Sequence, residues 1–107
     1  MGEGEKEIAL CSVHEFADNA VIGRITPQGQ SVALYKVDGA IYATEDLCSH
    51  GAVALSGGFV EGDEIECPAH GGRFHIPTGA AICFPAQKPV RTLAVHVRDG
   101  IVYLLNE

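Results

Sequence analysis

Short runs of apolar and β-branched residues, broken every few positions by glycine, proline or Asp-Gly pairs, occupy most of this chain. Glu5 to Cys11 alternates loosely and ends apolar, which predicts a first strand. Ser12 to Asn19 is polar and short, a connection with room for one helical turn. Ala20 to Thr26 and Ser31 to Val37 are β-rich and flank Pro27-Gln28-Gly29-Gln30, a turn signal that makes them a hairpin. Asp38-Gly39 then favours a two-residue turn into Ala40 to Thr44, giving a three-stranded meander. Beyond a loop from Glu45 to Leu55, the stretch Phe59 to Cys67 carries a hairpin turn at Gly62-Asp63, and Arg73 to Ile76 reads as a short strand leaving a second loop. Thr78-Gly79 is a turn and Phe84 to Pro89 a loop with two prolines. Val90 to Arg98 alternates as one strand, and Asp99-Gly100 turns it into Ile101 to Leu105. No stretch has the spacing of an amphipathic helix, so the pattern predicts an all-β sandwich or small barrel.

Size and composition narrow the class. The 107 residues suffice for one domain with a modest core. No apolar run approaches the roughly 18 residues that suggest a membrane helix, and Met1 to Glu7 is too polar and acidic for a signal peptide, so the expected location is cytoplasmic with no membrane association. Fourteen acidic against seven basic residues give a net charge of −7, which disfavours nucleic acid and anionic lipid as partners and suits docking to basic patches. Four cysteines could form two disulfides, but a reducing compartment favours thiols. Cys11 and Cys83 are then expected to be small buried apolar groups.

The remaining two cysteines lie in two short mixed clusters, Cys48-Ser49-His50 and Cys67-Pro68-Ala69-His70, each beside glycine (Gly51; Gly71 and Gly72). A thiolate and an imidazole so close in sequence point the same way only on a tightly curled loop. Two such loops supply two sulfur and two nitrogen donors, enough for one tetrahedral zinc or for two irons, one taking both thiolates and the other both imidazoles. Zinc fingers and ribbons group like ligands, as C-x2-4-C with H-x3-5-H or a second C-x2-C, so mixed clusters weigh against zinc.

Cys-x-His followed by Cys-x-x-His resembles the Rieske family. The likeness extends to Cys48-Ser49-His50-Gly51, to Glu66-Cys67-Pro68 through Phe74, to Thr78-Gly79 and to the proline-containing segment Phe84 to Pro89, so that it spans about residues 5 to 105. It implies a β-sandwich base with a small inserted β cluster-binding subdomain, at about residues 45–84 of a single 1–107 domain. It implies one [2Fe–2S] cluster per chain, with Cys48 and Cys67 on one iron and His50 and His70 on the other, and Phe84-Pro85-Ala86 covering the cluster from the side. The nearest likeness is to the small ferredoxins of aromatic-ring-hydroxylating dioxygenase systems. The implied donor is an NAD(P)H-dependent flavoprotein ferredoxin reductase, the implied acceptor a terminal Rieske oxygenase, and the expected state a monomer. In high-potential members, an extra disulfide and two hydroxyls stabilise the reduced cluster. The corresponding positions here are Val53, Ala69, Gly72 and Phe74, which lack those groups, so the expected potential is at the low end of the Rieske range, about −150 mV.

Other functions remain as alternatives at this stage: a zinc-stabilised structural or interaction module, and a Rieske electron-transfer subunit of another oxidoreductase. Catalysis by the chain itself is not expected. A non-haem iron oxygenase site needs two histidines and a carboxylate, and the remaining His14, His75 and His96 are scattered singly. Nor does a glycine-rich dinucleotide fingerprint occur.

Overall fold

The computed structural model describes residues 6–47, 53–69, 71–83 and 88–106. They form eleven strands in three antiparallel sheets, and among them there is no α-helix and no helix long and apolar enough to cross a membrane. Sheet one has the order β1 (Lys6–Ser12), β11 (Ile101–Asn106), β10 (Val95–Arg98). Sheet two runs β2 (Ala20–Ile25), β3 (Ser31–Val37), β4 (Ala40–Glu45), β9 (Thr92–Leu93). Sheet three runs β5 (Phe59–Glu61), β6 (Glu64–Glu66), β7 (Arg73–His75), β8 (Ala81–Cys83) and enters the chain between β4 and β9.

Turn chemistry sets the register of the meander. Asp38 and Gly39 take φ of 50° and 82°, and Asp99 and Gly100 take 54° and 78°. Paired positive φ values belong to the two-residue hairpin loops whose twist matches the strands. At the β2–β3 turn the Thr26 amide donates to the Gln30 carbonyl (2.9 Å), the Gly29 amide to the Thr26 carbonyl (2.8 Å) and the Gln30 amide to the Thr26 hydroxyl (3.0 Å). The polar connection after β1 holds one 3-10 turn, Val13–Glu15, closed by a reciprocal cap in which the Ser12 amide donates to Glu15 (3.0 Å) and the His14 amide to the Ser12 hydroxyl (3.1 Å). Glu15 also pairs with Arg24 of β2.

One expectation changes and one strand is added. Val90 to Arg98 is not one strand: β9 pairs with β4 in sheet two, whereas β10 pairs with β11 in sheet one, and the chain passes between sheets at Ala94, whose carbonyl accepts from the Leu105 amide (2.9 Å). Alternation marks which faces are apolar but not which partner a strand takes, so the corner leaves no trace in the pattern. Strand β8 had no signal either, because Ala-Ile-Cys has no alternation to read.

Sheet two is the middle layer. From β3, Val32 and Leu34 face sheet one and pack with Cys11, Phe16, Ala43, Val102 and Leu104. Ala33, Tyr35 and Val37 face the other way and pack with Leu55, Ile65, Cys67, Phe74, Ile76 and Val90. The second core is therefore the seam between the base and the inserted sheet. Tyr35 is wholly buried there, with its hydroxyl 2.8 Å from that of Thr44; burial pushes its ionisation well above the usual phenol range.

Candidate metal centre

The second ligand loop is the end of the β6–β7 hairpin. Glu64 faces His75, Ile65 faces Phe74 and Glu66 faces Arg73, so the ladder stops where Cys67 begins. The Cys67 amide donates to the Gly72 carbonyl (2.8 Å), and the Gly71 amide donates back to the Cys67 carbonyl (3.1 Å). Gly71 has a φ of 78°, a conformation that glycine adopts without strain. These bonds bring Gly71 and Gly72 back onto Cys67 and close the turn.

Cys67 itself is 2% exposed and is in no disulfide. Of the four expected ligands it alone falls within the described residues; Cys48, His50 and His70 lie outside them, as do Phe84 to Ala86. Among the described residues no three His, Cys, Asp or Glu side chains converge on a metal.

The first ligand loop is anchored at both ends by one carboxylate. Asp46, 8% exposed, accepts from the Ser56 amide (2.7 Å) and the Ser56 hydroxyl (2.6 Å), while its own amide donates to the Ser31 carbonyl of β3 (3.1 Å). Asp46 and Ser56 are thus joined to each other and tied to the middle sheet. Gly23 of β2 leaves the space: a Cβ there would lie 2.7 Å from the Ser56 oxygen and 2.9 Å from Asp46 Oδ2. Sequence reasoning missed this clasp, since aspartate and serine are ordinary loop residues and their pairing exists only after the loop closes. Replacing Asp46 by alanine strands two donors and is expected to cost about 1–3 kcal/mol, with Asp46→Asn losing less because it keeps an acceptor. Chemical denaturation midpoints of the two variants check the order.

The other buried cysteine among the described residues is built differently. Cys11 sits in the core between sheets one and two, where burial first and Glu15 second push its thiol above the ordinary range. That is the environment of an inert thiol.

The residues fit an iron–sulfur group: a nearly inaccessible cysteine sulfur, with no sulfur partner, lies at the mouth of a closed glycine turn facing the seam between two sheets. Layered antiparallel sheets with a small inserted sheet define a small all-β protein, and Cys67 is a buried free thiol placed where it could serve as a ligand. The Rieske [2Fe–2S] domain family matches residues 6–94, and the chain belongs to that family. It is 46% identical to the ferredoxin component of a naphthalene 1,2-dioxygenase system from Pseudomonas aeruginosa, over 94% of this chain and 95% of that protein. Its fold is shared with a Sphingomonas yanoikuyae B1 ferredoxin at a TM-score of 0.90 and 38% identity, covering 95% of this chain and all of that one. A ferredoxin solved in a complex of reduced oxygenase and oxidised ferredoxin in carbazole 1,9a-dioxygenase gives 0.87 and 34%, over 92% of each chain. The cofactor is therefore a [2Fe–2S] cluster, and the chain is an electron-transfer component, not a catalyst.

Proposed function

We propose that this ferredoxin belongs to an aromatic-ring-hydroxylating dioxygenase system, where it accepts single electrons from an NAD(P)H-dependent flavoprotein reductase and delivers them to the Rieske centre of the terminal oxygenase. The observation that carries the reading is the buried, unpaired Cys67 at the closed end of the β6–β7 hairpin, in a chain similar to dioxygenase ferredoxins along nearly its whole length. Cys48 and Cys67 would hold one iron, His50 and His70 the other, within a cluster-binding unit at about residues 45–84 of a single domain. The protein works as a cytoplasmic monomer.

When bound, the cluster supplies one-electron chemistry, more readily reduced than an all-cysteine centre because two neutral imidazoles replace two anionic thiolates. The chain's own residues do the rest. The hairpin turn and the Asp46–Ser56 clasp fix where each ligand loop starts. Leu55, Ile65, Phe74 and Ile76, all buried, keep water from the inner side of Cys67.

The potential follows from what stands beside the ligands. Phe74 is fully buried and offers a ring where a tyrosine hydroxyl would be needed, and Gly72 offers no side chain at all. A midpoint near −150 mV is expected, close to the low end of the Rieske range. Potentiometry of the purified protein with its cluster checks this, and a midpoint above roughly +100 mV would overturn it. The partner assignment is tested by mixing purified reductase, terminal oxygenase and this protein with NAD(P)H and an aromatic substrate. Product formation should depend on the ferredoxin and saturate with it. If the reductase cannot reduce it, or if turnover is indifferent to it, the assignment fails.

A further inference from the structure

Arg73 is placed where it can set the charge beside the second ligand turn. On the ladder, Glu61 of β5 lies directly opposite Glu64 of β6, a like-charged pair that is unfavourable unless a cation intervenes. Glu66 lies opposite Arg73 in the last rung before Cys67. The guanidinium spans all three carboxylates: one terminal nitrogen lies 3.1 Å from Glu64, and the other lies 2.7 Å from Glu61 and 2.9 Å from Glu66. Hydrogen bonds that Arg73 donates to Glu61 and then Glu64 hold it even more firmly protonated than usual. The fourth acid of this hairpin, Asp63, pairs instead with His75 (3.0 Å), whose other ring nitrogen is 2.8 Å from the Thr78 hydroxyl.

We propose that Arg73 is a positioning residue with an electrostatic role: it closes the mouth of the Cys67–Gly72 turn through Glu66 and, by neutralising part of this acidic group, sets how readily the cluster takes an electron. The proposal rests on the ligand assignment made above. Reduction adds one electron and breaks no bond, so the site becomes more negative by one charge, and fixed negative charge next to Cys67 opposes it. One guanidinium against three carboxylates leaves the group at −2. A unit charge acting over about 10 Å at an effective dielectric of about 50, as for a half-exposed group, alters such an equilibrium roughly threefold.

Four proteins, each carrying its cluster, separate charge from structure. Arg73→Met takes the group to −3 and should lower the reduction equilibrium constant about threefold. Glu66→Gln takes it to −1 and should raise the constant by a similar factor. The double variant returns to −2, and its midpoint should return to that of the unsubstituted protein although the Arg73–Glu66 pair is gone. All the shifts should shrink at high salt. Midpoints are read by EPR-monitored titration, with unfolding followed separately. Equal midpoints across the series, with only stability changing, would overturn the electrostatic role; a double variant no better than Arg73→Met would do the same. A starting protein without the rhombic, low-average-g EPR signal of a histidine-ligated cluster would sink the ligand assignment along with it, so the two failures are distinguishable.

Discussion

Cys67→Ser is expected to abolish the visible colour and the EPR signal of the purified protein, whereas Cys11→Ser should leave both intact. The two residues match in class and nearly in burial, at 2% and 7% exposed, yet they sit in different cores. Cys67 lies at the end of a hairpin, its amide bonded to the Gly72 carbonyl and its carbonyl to the Gly71 amide, while Cys11 lies in a β-bulged strand and packs on Val102 and Leu104. A serine oxygen is a harder and more basic donor than a thiolate, so the first substitution would remove the proposed cluster ligand. The second substitution only buries a hydroxyl, at a cost of about 1–3 kcal/mol if it finds no partner. Iron and sulfide analysis of both variants decides the matter. A Cys67→Ser protein with two irons and an unchanged spectrum would remove Cys67 from the ligand set.

Gly79→Ala is expected to cost far more stability than its backbone conformation alone would explain. Gly79 closes the turn after β7, where its amide donates to the His75 carbonyl (2.7 Å) and its carbonyl accepts from the Val90 amide (2.9 Å). These bonds tie the inserted sheet to the segment that re-enters the base. Its φ is 78°, which costs an L-residue about 1–2 kcal/mol, and a Cβ would also overlap the Val90 carbonyl oxygen. Relief requires the two backbone segments to separate and break the Val90 bond, so the total should exceed about 3 kcal/mol. Gly29 is the control: its φ is 90° but a Cβ would meet nothing within 4 Å. Gly29→Ala should therefore cost only the conformational part. Urea midpoints should fall in the order unsubstituted, Gly29→Ala, Gly79→Ala, and a Gly79→Ala protein as stable as the Gly29→Ala one would show that the packing argument is wrong.

Different parts of this architecture were legible to different degrees. The meander could be read because Pro27 to Gln30 and Asp38-Gly39 carry their turn geometry in residue type, and the strands between them then pair without choice. The final hairpin followed from Asp99-Gly100 for the same reason. The passage from β9 to β10 could not be read, because a change of sheet at Ala94 preserves alternation and only long-range pairing reveals it. At the site, mixed Cys/His spacing named the ligand candidates directly, because donor chemistry is a property of single side chains. The groups that support them were hidden for the opposite reason. Asp46 meets Ser56, and Arg73 meets Glu61, only once loops and hairpins have closed, and nothing in either pair's spacing distinguishes it from solvated surface charge.

Strand β3 is buried from Val32 to Tyr35 without a break, and Val37 is buried as well. In a two-layer sandwich, every second residue of a strand would accept almost any polar replacement. Here neither parity is free. A saturation library across β3 should yield survivors confined to apolar residues of similar volume at 32, 33, 34, 35 and 37, with Lys36 the one permissive site between Val32 and Val37. The strand would then drift more slowly among descendants of this sequence than the ligand-loop residues that touch no metal. Comparison of its relatives should find in β3 the most uniform stretch outside the two clusters.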